Sequence, residues 1–359
     1  MGTTPARPAG VRLEGGPLLV VGEVVTAFLQ NSTPLTTSTC WEILRSRPGS
    51  TVRAGTRPVQ FAISPATAVG VHCELPTGSG ARAEGVGTIV GQTTVTGGSL
   101  VQASARAVLS ARAFGYRDPW SYYLANPGLI EVRGKADVDD LVRGLVDGEQ
   151  PGTLDLGAVC SRLLDRVQRS PLLDRRPGLR ARRIRLRWVA RLSSAAGTPS
   201  TASTASAAGP APGTEVGFAP VDEGAPWIEF IVHDEISRSL VVGPTAAEAG
   251  LCLFAEDVAR HDWLLSTLLR FVDEQRSSPR AEVVSGPGLA SLVDLFQLWM
   301  PGARVPPEFG QVWAELEAGT SFTRQWLNLV DHVRDQIALA SAACVPRGPR
   351  LSAAEARLS

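Results

Sequence analysis

Residues that can exchange protons or bind a metal ion are grouped at two places in the second half of the chain. His233, Asp234 and Glu235 follow directly after an apolar, strand-like run, and His261 and Asp262 lie within a helical pattern. Imidazole and carboxylate groups act as general acids and bases, and both bind transition metals. If the two groups meet in space, the five residues predict the metal site of a metal-dependent hydrolase.

A structural role is the competing interpretation of the same residues. His261-Asp262 is similar to the dipeptide of the metal-dependent phosphohydrolases named for it, but those enzymes hold their metal in an all-helical bundle, whereas His233 adjoins a strand. His261 also lies on the apolar seam of its helix, whose other members recur at helical spacing: Leu251, Phe254, Val258, Leu265, Leu268 and Val272. We therefore favour a polar turn and a packed histidine, and we expect neither a metal nor a cofactor.

Arginine alternates with apolar residues between positions 183 and 192. Arg183, Arg185 and Arg187 therefore project from one face of a predicted strand, while Trp188 points to the other face. Arginine binds carboxylates and phosphates through paired hydrogen bonds, so this face suits an acidic protein partner. A solvated or ion-paired face is the structural alternative. Aromatic side chains for base stacking are missing from the cationic face, so nucleic-acid binding is only a third hypothesis.

An aromatic cluster around Trp120 is the remaining candidate binding site. Tyr122 and Tyr123 follow Trp120 in a short helical turn, which Asp118-Pro119 starts and Asn126-Pro127-Gly128 ends. Such a cluster is typical of a packed corner. It also suits a contact with a protein partner, because Tyr and Trp are enriched where partners bind most strongly.

Common nucleotide and nucleophile motifs are absent from the sequence. Gly85-x-Gly87-x-x-x-Gly91 has its last glycine one position later than a dinucleotide loop requires, and it lies within a predicted hairpin. Lys135 lacks the glycine-rich loop of a phosphate-binding lysine, and no Gly-x-Ser-x-Gly elbow occurs.

The strongest structural signal is a β-hairpin. Two β-prone runs, 85–96 and 99–109, flank Gly97-Gly98, a pair suited to a two-residue turn with positive φ. This turn predicts that Thr96 faces Ser99 and that Thr94 faces Val101, which makes one face of the hairpin mostly apolar.

The surrounding patterns predict an α+β protein. A mixed or antiparallel sheet spans the first two thirds of the chain, beginning with a valine-rich run at 18–29 that reads as a strand buried on both faces. Asp137 is the predicted cap of one helix and Asp155 begins the next, and helical periodicity dominates from Thr245 onward. We predict flexible tails at 1–16 and 346–359, a β-rich domain at 17–243 and a helical subdomain at 244–345. Residues 193–214 are low in complexity and predict a disordered insertion.

Composition and charge indicate a cytoplasmic protein. The 359 residues carry no formal net charge, which does not favour nucleic acid or an anionic membrane as a partner of the whole chain. The five cysteines are scattered and no signal peptide is recognisable, a pattern typical of reduced thiols in the cytosol. The most apolar run, 17–29, is too short to cross a bilayer.

Several short motifs in the first third of the chain resemble an uncharacterised family of actinobacterial, Streptomyces-type proteins. The residues that carry the resemblance are Gly22-Glu23-Val24, Arg57-Pro58, Ser64-Pro65, Gly70-Val71-His72-Cys73, Gly85-Val86-Gly87-Thr88 and Pro119-Trp120-Ser121-Tyr122-Tyr123-Leu124. Genes of this family lie in a cluster with a variant P-loop protein and a methyltransferase-like protein. The resemblance implies partners encoded nearby, with the P-loop protein first among them, and it implies no catalytic residues.

We therefore expect a non-enzymatic, cytosolic scaffold or adaptor of a multi-protein system. Its candidate binding residues are Arg183, Arg185, Arg187, Tyr122 and Tyr123. A metal-dependent hydrolase and a nucleic-acid-binding protein are the alternatives, which depend respectively on the His/Asp/Glu residues and on the arginine strand.

Overall fold

The computed structural model describes residues 16–45, 51–111, 118–147, 150–177, 179, 181–192, 215–216, 227–245, 248–277 and 287–344. The strands in this part of the chain are β1 (Gly16–Phe28), β2 (Arg53–Gly55), β3 (Phe61–Ile63), β4 (Thr67–Glu74), β5 (Ala83–Thr96), β6 (Leu100–Ala111), β7 (Leu129–Gly134), β8 (Ile184–Leu192), β9 (Glu215–Val216), β10 (Ile228–Val232) and β11 (Ser237–Thr245).

The helices in the same ranges are α1 (Thr37–Leu44), α2 (Trp120–Ala125), α3 (Val138–Asp147), α4 (Leu156–Gln168), α5 (Glu248–Ser277), α6 (Pro287–Phe296), α7 (Gly310–Thr320) and α8 (Phe322–Cys344). A single turn of 3-10 helix, Pro307–Phe309, precedes α7. No helix in the described ranges is long and apolar enough to cross a membrane.

All the strands belong to one mixed sheet. Their order is β2-β3-β5-β7-β6-β1-β8-β11-β10-β9, and β4 lies beside β5. Most neighbours are antiparallel, but β6 with β7 and β8 with β11 are parallel pairs. This sheet, followed by helices in the last third of the chain, confirms the predicted α+β class.

Helices cover both faces of the sheet. On one face, α1, α3 and α4 bury Leu44, Leu141 and Leu164 against the odd-numbered residues of β1. On the other face, α5 to α8 pack on the even-numbered residues of β1 and on Trp188 of β8. The helices that follow residue 244 therefore share one hydrophobic core with the sheet.

Local signals placed many of these elements correctly. The valine-rich run forms β1, which is buried on both faces. Asp155 caps α4, since its side chain accepts the N–H of Ala158 at 2.7 Å, and Asp137 accepts the N–H of Asp140 at 2.7 Å at the start of α3. The predicted insertion at 193–214 and the terminal tails lie outside the described residues.

The predicted hairpin register is wrong by one residue. Gly97 and Gly98 do have φ of +60° and +66°, but Thr96 pairs with Leu100 and Thr94 pairs with Gln102. The reason is that Ser99 belongs to the turn, where its N–H donates to the carbonyl of Thr96 at 3.2 Å. The shift places the polar positions of the two strands together on the face that α5 covers.

The two strands of the hairpin also separate beyond Val90, where β7 lies between β5 and β6 and pairs with both. Val86 pairs with Glu131 of β7, and not with Leu109, which would face it if the predicted register continued to that point. Neither β7 nor β11 was predicted. β7 is parallel to β6, and a parallel pair leaves no local turn signal. β11 is parallel to β8, but it also forms a hairpin with β10, with Val232 opposite Arg238, so the turn between them was a local signal that the prediction overlooked.

Candidate protein-interaction surface

The short helix α2 is attached to the sheet by one side chain. Tyr123 is fully buried, and its hydroxyl donates to the carboxylate of Glu131 on β7 at 2.8 Å. Burial, together with this hydrogen bond, raises the pKa of Tyr123 to about 12, so the phenol stays neutral and keeps its donor. Thr88 of β5 adds a second link, because its hydroxyl accepts the N–H of Gly128 just after the helix at 2.9 Å.

The other large side chains of α2 face outward. The relative exposures are 42% for Trp120, 40% for Tyr122 and 64% for Leu124. Both exposed aromatic rings meet Tyr123 edge to face, each with 5.6 Å between ring centroids. The buried ring therefore fixes the two exposed rings in place, which lowers the entropy that a partner must remove on binding.

The adjoining strand β4 extends the exposed surface. A Cβ atom at Gly70 would lie 3.3 Å from the ring of Trp120, so that ring covers the middle of the strand. Ala68, Gly70 and His72 are exposed, whereas the residues between them pack toward the core. We call the exposed side chains of Trp120, Tyr122 and Leu124, together with β4, the α2–β4 surface.

The two candidate tyrosines thus have different roles. Tyr122 is exposed on the α2–β4 surface and is available to a partner. Tyr123 is an anchor with no exposed area, so its prediction as a contact residue is corrected. The packed corner and the partner contact, which the sequence analysis treated as alternatives, occur in adjacent residues of one helix.

The arginines of β8, and Arg183 just before it, contact carboxylates of the same chain. The guanidinium of Arg185 lies 2.7 Å from the carboxylate of Glu23 on the neighbouring strand β1, and Arg187 lies 3.7 Å from it. Arg183 is 2.9 Å from Asp165 of α4. The ion-paired alternative therefore describes this face, and Arg183, Arg185 and Arg187 are not part of an open cationic surface.

Helix α4 closes over the central pair. A Cβ atom at Gly157 would lie 2.0 Å from the guanidinium of Arg185 and 2.6 Å from the carboxylate of Glu23, so a larger residue there would displace the ion pair. Burial raises the pKa of Glu23, and Arg185 opposes this rise by hydrogen bond and charge. A lone glutamate in the apolar run of β1 was the available sequence signal for a buried partner of the arginine strand.

The residues at the end of β10 form a polar turn. The ring of His233 bonds to the hydroxyl of Ser239 at 2.8 Å, on the face of the sheet that α3 covers. Asp234 accepts the backbone N–H of Ile236 at 2.7 Å, and this bond contributes most to lowering the pKa of Asp234. Glu235 is exposed. The turn thus satisfies its own polar groups.

His261 and Asp262 lie elsewhere, on α5, and face different elements. The Nδ1 atom of His261 donates to the carbonyl of Asp257 at 2.7 Å, and its ring meets Trp299 edge to face. Asp262 instead faces Arg238 of β11 at 3.3 Å, and burial raises its pKa. Within the described ranges no three His, Cys, Asp or Glu side chains are placed to hold a metal ion, so the five predicted residues do not form one site.

Sequence reasoning missed a buried carboxylate of α5 that bonds to the sheet. The carboxylate of Glu256 accepts from Gln92 at 3.1 Å and from Ser104 at 2.8 Å, and its backbone carbonyl accepts from Gln102 at 2.8 Å. Burial raises the pKa of nearby Cys252 to about 12, and the charge of Glu256 contributes to this rise. These bonds join α5 to the polar face of the β5–β6 hairpin, which is a structural role.

A surface cleft with a volume of about 480 Å³ lies between the second half of α5 and the first residues of β8 and β11. Three arginines line it, and each contacts a carboxylate of the same chain. The pairs are Arg182–Glu235, Arg238–Asp262 and Arg270–Glu274. The positive charges that could attract an anionic ligand are therefore already neutralised.

His261 gives the protein an expected pH dependence. Burial, followed by the charge of Arg260, lowers its pKa well below the ordinary value, so the folded state holds the ring neutral where the unfolded chain would protonate it. Stability should therefore fall as the pH drops below about 6.5, by up to about 1.4 kcal/mol per pH unit. We expect His261→Leu to be neutral or stabilising at pH 7.5 and to remove this slope.

Urea unfolding of the wild-type chain and of the His261→Leu variant between pH 7.5 and pH 5 measures the difference directly. Subtracting the two curves removes the contribution of the carboxylates that both chains share. Parallel curves would show that His261 is not held neutral by its surroundings.

Comparison with known proteins identifies no relative for this arrangement. A scan against family models gave no match, and searches of curated proteins and of solved structures found no significantly similar chain.

Proposed function

We propose that this chain is a non-enzymatic, cytosolic adaptor that binds a protein partner through the α2–β4 surface. The observation that carries the proposal is the pattern of burial in α2. Tyr123 alone is buried, and Trp120, Tyr122 and Leu124 are exposed. Exposed apolar side chains that stand close together are typical of partner-binding sites. Because these three side chains lie outside the core, packing within the monomer does not explain them.

The surroundings of the chemically reactive side chains support a binding role over catalysis. His261, Asp257 and Asp262 are each 5% exposed or less, so a substrate in solution does not reach them. The turn at His233 and the arginines of β8 are engaged within the chain. An adaptor requires none of these groups to react.

The nature of the partner follows from the resemblance to the actinobacterial family. That resemblance implies a P-loop protein encoded in the same gene cluster, and we propose such a protein as the partner. An apolar, aromatic surface favours a protein over nucleic acid, whose phosphates would require unpaired basic residues.

Photo-crosslinking in the organism that encodes the chain tests the proposal. A benzoylphenylalanine residue replaces Tyr122 in one variant, and in the matched control it replaces Trp41, which is 38% exposed on α1 across the sheet. We expect a discrete protein adduct from position 122 and none of the same mass from position 41. Equal adducts from both positions, or none from position 122, would refute the proposed binding site.

Trp120 should contribute strongly to the affinity for the partner that is captured in this way. Trp120→Ala removes a large, fixed aromatic side chain from the α2–β4 surface, and we expect a loss of about 2 kcal/mol, or roughly thirtyfold in Kd. Trp41→Ala is the control and should leave Kd unchanged. Isothermal titration calorimetry on the purified proteins measures both effects.

A further inference from the structure

Within the described chain, the sheet has one long lateral edge that is open over most of its length. The strands at the two ends of the sheet are short, with three residues in β2 and two in β9. Natural proteins protect sheet edges with short strands, proline or inward-pointing charge. By contrast, β4 has eight residues, Thr67–Glu74, and contains neither proline nor lysine. Within the described strands it pairs only with β5.

The register of β4 shows which of its backbone groups point outward. Val71 lies opposite Gly87, and the N–H of Leu75 donates to the carbonyl of Ala83 at 2.8 Å just beyond the strand. Hydrogen-bonded positions alternate along an antiparallel pair, so the odd-numbered residues of β4 bond to β5 and the even-numbered residues point away from it. The chain itself uses one outward group, because the carbonyl of Glu74 accepts the N–H of Leu154 at 2.9 Å.

The remaining outward groups form a template for another strand. Ala68, Gly70 and His72 each direct one N–H and one C=O away from β5, and all three residues are exposed. Leu154 and its neighbour Thr153 already make a single parallel bridge at the end of this edge. An added strand would therefore continue a pairing that the chain has begun.

We propose that the partner binds by adding an extended segment to the edge of β4. This inference rests on the proposed adaptor function and states how its surface is recognised. A strand beside β4 lies about 4.8 Å from it. The ring of Trp120, which covers Gly70, would pack on an apolar side chain of that segment.

Charge at one end of the edge defines the segment further. Glu74 and Glu84 lie directly opposite each other on the exposed face of β4 and β5, and His72 contacts Glu84. Like charges in directly opposite positions destabilise a sheet. Glu84 also lies opposite Arg133 of β7, so Glu74 on the outer strand is the carboxylate that a Lys or Arg in the added segment would pair with. The expected ligand is thus an extended peptide with an apolar centre and a basic residue toward one end.

Proline at position 68 tests the mode of binding. The N–H of Ala68 points away from β5, so Ala68→Pro removes an outward donor and leaves the β4–β5 hydrogen bonds in place. Ala68→Ser keeps the donor and is the matched control. The probe is a displayed library of random linear peptides of about 12 residues, long enough to pair with β4 in extended form. The library is selected on the full-length wild-type chain.

We expect selected peptides with alternating apolar residues whose binding weakens at least about tenfold in Ala68→Pro, because a buried partner carbonyl loses its donor. Ala68→Ser should bind as the wild type does, and thermal unfolding should confirm that both variants fold. Amide hydrogen exchange at Ala68, Gly70 and His72 should slow when a selected peptide is bound.

Other outcomes would overturn strand addition in distinguishable ways. Peptides that tolerate Ala68→Pro but lose affinity in Leu124→Ser would show recognition by side chains alone, which leaves the adaptor proposal intact. A wild-type dimer that becomes monomeric in Ala68→Pro would show that a second copy covers the edge. Failure to select any peptide that competes at this edge would reject the added strand, whereas the cross-link from position 122 tests the adaptor function independently.

Discussion

Arg185→Ala should lower the free energy of unfolding by about 3 kcal/mol, because it leaves a buried carboxylate without its main cation. The side chain of Glu23 is 4% exposed, and Arg185 is its nearest cation at 2.7 Å. Arg187 remains 3.7 Å away and offsets part of the loss. Urea unfolding of the wild type and the variant at pH 7.5 measures the difference.

Arg183→Ala is the matched control, because Arg183 immediately precedes the same strand. Its side chain is 44% exposed, and its partner Asp165 is also at the surface. Exposed ion pairs contribute between zero and about 1 kcal/mol. If the two variants lose the same stability, the pair between Glu23 and Arg185 is not a special feature of the core. A loss in Arg185→Ala that shrinks at acidic pH, where Glu23 can protonate, would support the assignment further.

Tyr123→Ala should cost about 3 to 5 kcal/mol, the range for removing a buried aromatic side chain. The ring is fully buried and is the side chain that holds α2 on the sheet. Tyr123→Phe keeps the ring and loses only the hydroxyl that donates to Glu131, so its cost should be smaller, about 1 to 3 kcal/mol. Thermal and urea unfolding measure both.

The neighbouring residue provides the opposite expectation. Tyr122→Ala should change stability by less than about 1 kcal/mol, because Tyr122 is 40% exposed, and it should weaken partner binding instead. A large loss of stability in Tyr122→Ala, with binding unchanged, would reverse the roles assigned to the two tyrosines.

The sequence predicted most reliably those features that depend on a few adjacent residues. The caps at Asp137 and Asp155 and the glycine pair at the hairpin turn are local devices, and each occurs where it was expected. The register failed by one residue because Ser99 can join the turn or start the strand without any change in the local pattern.

Features that depend on residues far apart in the sequence could not be predicted from it. Glu23 and Arg185 are 162 residues apart, and no periodicity connects them. Helix α5 showed one apolar seam, but its first half is buried all round because it lies between the sheet and α6 to α8. Because α5 is buried on all sides there, its apolar pattern gives no sign that Glu256 is buried. The bonds from Glu256 to the hairpin explain why that face of the sheet is polar.

The candidate site was anticipated in part. The Asp118-Pro119 start and the Asn126-Pro127-Gly128 end correctly placed the short helix, although Pro119 and not Asp118 is the capping residue. Which of the two tyrosines faces inward was not predictable, because the deciding contact is with Glu131 on a strand that the sequence did not reveal.

Amide hydrogen exchange tests the central claim most directly. It is measured on the full chain alone and after addition of the partner that the cross-link identifies, prepared as a purified protein. The adaptor account predicts that slowed exchange concentrates in β4 and α2. If the partner also adds a strand, the largest change falls at the outward amides of Ala68, Gly70 and His72. Protection confined to the cleft lined by Arg182, Arg238 and Arg270, with β4 and α2 unchanged, would contradict it.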